Sequence, residues 1–107
     1  MRNLTGMMKK VHEMNNKLEK AQKELDSKEF TSKVGDGAVS VTIEGNGTVK
    51  SLLLDDSILN SIDREILEDM ICLAFNNALK DIKTAKEQIM KDISGGLPIP
   101  AGMSLPF

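Results

Sequence analysis

Between Leu4 and Leu25 the apolar positions fall at Leu4, Met7, Val11, Met14, Leu18, Ala21 and Leu25, in alternating steps of three and four. That spacing is the seam of a heptad repeat. Polar residues fill almost every other position, so the strip is narrow and suits a helix pairing with a helix better than one lying broadly on a sheet. Met7, Met14 and Ala21 make the seam weaker than one built from Leu or Ile. The helix is expected to end near Ser27-Lys28.

The period then changes. Val39, Val41 and Ile43 alternate with Ser40, Thr42 and Glu44, the pattern of a strand with one buried face. Phe30 and Val34 flank Ser32 in a weaker strand before it, and Val49 to Leu54 reads as a third strand after it. Gly35-Asp36-Gly37 and Gly45-Asn46-Gly47 supply the turn residues of two tight hairpins, giving an antiparallel meander. Leu52-Leu53-Leu54 puts apolar groups on both faces, so the sheet is expected to be covered on its second side at that end.

Asp55-Asp56-Ser57 reads as a cap leading into one helical turn, after which Ser61 or Asp63 caps a long helix with Glu65 in its first turn. The first half of that helix is apolar over a wide arc: Ile66, Leu67, Met70, Ile71, Leu73, Ala74, Phe75, Ala78 and Leu79. The arc narrows to Ile82, Ala85, Ile89 and Ile93, with Met90 beside them. The wide half should sit on the sheet and the narrow half overhang it. Gly95-Gly96 stops the helix, and the uncharged tail with Pro98, Pro100 and Pro106 is expected to be extended or mobile. The reading is α+β, with one domain over residues 1–94 and a Pro/Gly-rich tail over 95–107.

Lengths turn this pattern into an expectation about assembly. A helix of about 30 residues is roughly 45 Å long, whereas a seven-residue strand spans roughly 23 Å. About half of the long helix then has no sheet beneath it, and the first helix has the same problem. A second copy of the chain is the simplest way to cover both stripes and the doubly apolar sheet end. The expected dimer interface comprises Leu4, Met7, Val11, Met14, Leu18, Leu25, Leu52, Leu54, Ile82 and Ile89.

Charge is distributed unevenly along the chain. The sum over 107 residues is −2, but residues 1–28 carry seven basic groups against four acidic ones, or +3. Residues 29–62 sum to −3 and residues 63–94 to −2. An anion-facing surface is therefore expected on Arg2, Lys9, Lys10, Lys17, Lys20 and Lys23, helped by Lys80, Lys83, Lys86 and Lys91. A solvated helix face of mixed sign is the simpler explanation of the charges alone. Phe30, Phe75 and Phe107 are the only aromatic residues, which argues against stacking on single-stranded nucleic acid.

Nothing in the sequence supports catalysis. His12 has no second His or Cys at ligand spacing, so no metal is expected. Cys72, between Ile71 and Leu73, reads as a small buried hydrophobe. Asp55-Asp56 and Glu68-Asp69 are sequence neighbours that do not converge on one reacting atom. The two glycine-bearing turns precede no helix and no Gly-Lys-Ser or Gly-Lys-Thr, so they are not a phosphate cradle. Asn76-Asn77, poor helix formers inside the long helix, suggest a structural hydrogen bond. No apolar run approaches the ~18 residues that span a bilayer, and the first residues lack the order of a secretory signal, so a cytosolic protein is expected.

Several stretches, taken in order, resemble the YbaB/EbfC family along essentially the whole chain. They are Met7-Met8-Lys9-Lys10-Val11, Gly35-Asp36-Gly37-Ala38-Val39-Ser40-Val41, Leu67-Glu68-Asp69-Met70-Ile71, Ala74-Phe75-Asn76-Asn77-Ala78, and the ending Leu97-Pro98-Ile99-Pro100-Ala101-Gly102-Met103-Ser104-Leu105-Pro106-Phe107. Asn77 stands where relatives often have Asp, and the loop around Asp36 is less glycine-rich than usual. The resemblance implies an α-β-β-β-α chain in a tight, intertwined homodimer whose long helices project like tweezers. It also implies nucleoid-associated binding of double-stranded DNA without cofactor or catalysis. The alternative expectation is a coiled-coil dimer that docks a protein partner in recombination or DNA maintenance, with incidental DNA affinity.

Overall fold

The computed structural model describes residues 2–94 and runs α1 (Arg2–Ser27), β1 (Glu29–Val34), β2 (Val39–Glu44), β3 (Val49–Leu54), α2 (Asp56–Ser61) and α3 (Arg64–Ser94). The expected tail lies outside the described residues. The strands form one antiparallel meander in the order β1-β2-β3, with Val34 opposite Val39 and Val39 opposite Leu54. The fold is α+β in the order the alternating and heptad patterns gave.

Turn chemistry explains the hairpins. Gly35, Asp36 and Gly37 adopt φ of 65°, 56° and 87°, three left-handed residues in succession, and only Asp36 among them bears a side chain. Asn and Asp tolerate this region best because the short side chain satisfies local backbone. In the second turn Gly47 has φ 91°, and the Thr48 amide donates to Asn46 Oδ1 at 2.8 Å. Asp55 caps α2, accepting from the Ser57 amide at 3.2 Å. Of the two residues expected to cap the long helix, Asp63 holds the position: its carbonyl accepts from the Leu67 amide at 3.0 Å. Ser61 instead closes α2, donating to the Ser57 carbonyl at 2.7 Å.

The core forms where α3 lies across β1 and β2. Val39, Val41 and Ile43 pack with Ile58, Ala74, Ala78 and Ile82, and Phe30, Val34, Leu54, Leu67, Met70, Ile71 and Phe75 close around them. Small Ala74 and Ala78 let the helix backbone approach the sheet. α3 passes from the first turn, where the Met70 methyl abuts Gly35, to the second, where Ile82 and Lys83 border the recess at Gly45, Asn46 and Gly47. About 12 residues of α3, some 18 Å, extend beyond the sheet.

α1 joins the sheet at this same end. Its last turn runs into Glu29, opposite Glu44, and the Gly45 amide donates to the Lys28 carbonyl at 2.9 Å. α1 therefore comes in beside the outgoing α3, and the two run antiparallel as a helical arm in a molecule 71 × 24 × 18 Å in extent. Ala21, Glu24, Leu25 and Lys28 face Ala85, Gln88 and Ile89 across a shallow groove.

The arm buries part of the expected interface within one chain. Leu18, Leu25 and Ile82 are buried by this chain's own elements, because the overhang of α3 covers the C-terminal half of the α1 seam. Met14, Leu54 and Ile89 are half-buried, while Leu4, Met7, Val11 and Leu52 are exposed. Cys72 is exposed, not buried, since it lies one step off the stripe that Ile71 and Ala74 turn toward the sheet. Ile66, Leu73 and Leu79, expected within the wide apolar arc, are also about half exposed. Asn76 and Asn77 are exposed, and neither side chain makes a hydrogen bond among the described residues. The outer face of the sheet carries Thr31 and Thr42, whose hydroxyls meet at 2.9 Å, and the exposed Leu53; no described element of the chain covers it.

Candidate nucleic-acid interface

The sequence thirds concealed how the fold sorts charge. The arm combines residues 1–28, at +3, with residues 80–94, where Lys80, Lys83, Lys86 and Lys91 outnumber Asp81, Glu87 and Asp92, so it totals +4. Residues 29–79, which form the sheet, α2 and the sheet-bound part of α3, hold Lys33, Lys50 and Arg64 against nine acidic groups, or −6. At physiological ionic strength charges are screened over about 8 Å. In a molecule 71 Å long, the acidic body cannot cancel the field along the arm. The arm presents a positive surface although the chain as a whole is acidic.

Within the arm the charge is concentrated toward the beginning of α1. Arg2, Lys9 and Lys10 precede the first acidic residue, Glu13. Lys9, Lys10, Lys17, Lys20 and Lys23 are all exposed. Among the described residues the ion pairs are Lys50–Glu44 at 3.5 Å and Arg64–Glu68 at 2.9 Å, so none of these five lysines is engaged by a carboxylate. Helical spacing puts Lys9, Lys20 and Lys23 opposite the seam and Lys10 and Lys17 on one flank.

The α3 lysines divide. Lys83 and Lys86 border the recess formed with Gln22, Asp26 and the second turn, and Lys86 is half-buried there. Lys80 and Lys91 are exposed on the side of α3 turned away from the core. The fold thus gathers the ten expected basic positions along the arm and its base, where Lys80 precedes the core residue Ile82, but spreads them around it rather than onto one flat face. Lys28, absent from the expected set, sits at the base of the arm with its Nζ 5.4 Å from the Phe30 ring centre. Its proximity to Phe30 depends on the turn from α1 into β1, which residue spacing does not reveal. His12 is exposed, and among the described residues no cluster of His, Cys, Asp and Glu could hold a metal ion.

A long, net-positive helical arm on an acidic α+β body defines a protein that presents an extended charged surface. The model of the YbaB/EbfC DNA-binding family matches residues 1–97. Nucleoid-associated proteins of Rhizobium meliloti and Agrobacterium fabrum are 42% and 40% identical over 107 residues, covering the whole of each chain. The crystal structure of an uncharacterized protein from Helicobacter pylori shares the fold, with a TM-score of 0.69 and 23% identity over 84% of this chain and 95% of that one. The chain belongs to the YbaB/EbfC DNA-binding family. No described helix is long and apolar enough to cross a membrane.

Proposed function

We propose that a homodimer of this chain binds double-stranded DNA in the bacterial nucleoid, with little sequence preference and without catalysis, by laying its positive arms against the phosphate backbone. The observation that carries this reading is the division of charge between a +4 arm and a −6 body. Arg2, Lys9, Lys10, Lys17, Lys20 and Lys23 make the principal phosphate contacts, and Lys80, Lys83, Lys86 and Lys91 the secondary ones. Family membership and relatives named as nucleoid-associated support the choice of DNA over other polyanions. The lysines present flexible point charges and there are few aromatic groups, so phosphate contacts dominate and carry no base information. Two unrelated duplexes of about 30 base pairs should bind within roughly threefold of each other in competition gel shifts; a preference above about a hundredfold would instead indicate base readout.

The dimer is supported by apolar surface that α3 leaves open. Leu52 and Leu54 lie in register with Val41 and Val39 and so share the α3 face of the sheet. β3 is nonetheless an edge strand outside the cover of α3, and Leu52 is 40% exposed. A register irregularity at Thr42/Ile43 sets Val49 opposite Ile43, adding a 52% exposed side chain to the same patch. An exposed apolar edge strand is a pairing site unless something covers it. A second copy would cover it at a two-fold interface. Leu52→Asp is expected to weaken dimerisation at least thirtyfold, roughly the effect of losing one central interface anchor. Sedimentation equilibrium checks this, and an unshifted dimer would place the interface elsewhere.

A further inference from the structure

We infer that the first half of α1 is a docking site for an anionic lipid surface, on which the helix lies flat with its apolar strip in the headgroup layer. The site does not rest on DNA binding: its apolar side chains take no part there, and the two share only Lys10 and Lys17.

The α1 seam is continuous in sequence but covered over only half its length. Leu25 and Leu18 are buried and Met14 is half-buried. Leu4, Met7, Met8 and Val11 are 59%, 62%, 65% and 57% exposed. With His12 and Asn15 they border one shallow apolar depression. Four large apolar side chains exposed side by side differ from the scattered ones normal on any surface. Met8 widens the seam, so that these four span an arc of about 100° around the helix, enough to rest on an apolar medium as well as on a second helix.

Cover ends with α3. Ile89 borders a groove with Ala21 and Leu25, and the described helix runs only five residues further, to Ser94. At about 1.5 Å per residue, that end lies beside roughly residues 16–18 of the antiparallel α1. The turns of α1 before this point extend about 20 Å and leave their apolar face exposed. A helical segment of this length is marginal in water without packing along that face.

Charge identifies the occupant. Residues 1–12 hold Arg2, Lys9 and Lys10 and no acidic residue. Helical spacing sets Lys10 and Lys17 along one flank of the strip and His12 near the other, while Glu13 lies on the far side. An apolar strip edged by lysines is the pattern that anionic bilayers attract, and the lysine stems let the ammonium groups reach lipid phosphates while the strip inserts. A second copy would bring like charge against like charge. Four side chains also fall short of the 1,200 Å² or so of total buried surface that a stable association between proteins needs. A bilayer requires no such shaped partner, and a DNA backbone offers phosphate but nothing for the strip.

Flotation of the full chain with phosphatidylcholine vesicles containing about one quarter phosphatidylglycerol tests the docking. The protein should float with these and stay behind with phosphatidylcholine alone. Leu4→Gln, Met7→Gln and Val11→Gln together keep charge and helix propensity; they should lower vesicle affinity at least thirtyfold and leave DNA affinity within about twofold. Lys10→Gln with Lys17→Gln should lower vesicle affinity about twentyfold, at roughly fivefold per lysine. The chain has no Trp, so the emission of Met8→Trp reports from the strip and should shift to the blue on anionic vesicles. That of Asn16→Trp, on the opposite side of the helix, should not. No flotation with anionic vesicles, or full binding by the triple glutamine variant, would overturn the docking. So would an assembly larger than a dimer that the same variant abolishes, which would assign the strip to a second copy. Gel shifts with the same proteins judge DNA binding separately.

Discussion

Reversing the charge of two lysines, with Lys9→Glu and Lys10→Glu together, is expected to lower affinity for duplex DNA by on the order of 10³ at about 0.1 M salt. The figure follows from counterion release: at a slope of ~0.9 per phosphate, each contact contributes roughly eightfold at that salt. Two lysines on each of two arms account for up to four contacts. Both side chains are exposed and unpaired among the described residues, so folding should be nearly unaffected, within about 0.5 kcal/mol. Equilibrium binding measured beside thermal melts separates the two effects. A loss below about tenfold would move the DNA surface away from the start of α1.

The second large effect falls on stability. Gly45 is buried against the last turn of α1, and an added Cβ would overlap the backbone carbonyl of Leu25. The obstacle is backbone, held in place by the hydrogen bond from the Gly45 amide to the Lys28 carbonyl, so it cannot swing aside as a long side chain would. Gly45→Ala is expected to cost about 1–3 kcal/mol, the usual range for overpacking. For a domain of this size that lowers the melting temperature by roughly 4–20 °C. Gly35→Ala meets chiefly the Met70 methyl, a movable group, although its φ of 65° adds strain. Calorimetry on Gly45→Ala decides the matter: an unchanged midpoint would mean that α1 does not depend on this junction.

The elements were legible because each has its own period. The heptad steps from Leu4 to Leu25, the alternation Val39 to Ile43 and the glycine-bearing turns dictate α1, β2 and the hairpins. Placement of side chains was less legible. Periodicity shows which residues share a face but not which element covers that face. Leu18, Leu25 and Ile82 therefore read as interchain contacts, although α1 and α3 of one chain bury them. The wide apolar arc on α3 hid the fact that the helix rests on only two strands, leaving Cys72, Leu73 and Leu79 outside the core. Leu53 projects from a face that no described element of this chain covers, so the cover expected on the second side of the sheet does not come from the described elements themselves.

The basic residues were legible as a list, and their grouping required the fold. Residues 63–94 sum to −2 as a block, which masks the excess of lysine after Leu79. Only when α3 overhangs the sheet and lies beside α1 do Lys80, Lys83, Lys86 and Lys91 join the positive arm.

The most direct test is the affinity of purified protein for a random-sequence duplex across a salt series from about 50 to 200 mM. If about six phosphates are neutralised, log affinity should fall against log salt with a slope near −5, so that binding weakens roughly a thousandfold over the series. A flat response, with affinity unchanged as salt rises, would contradict a grip made through lysines and phosphates.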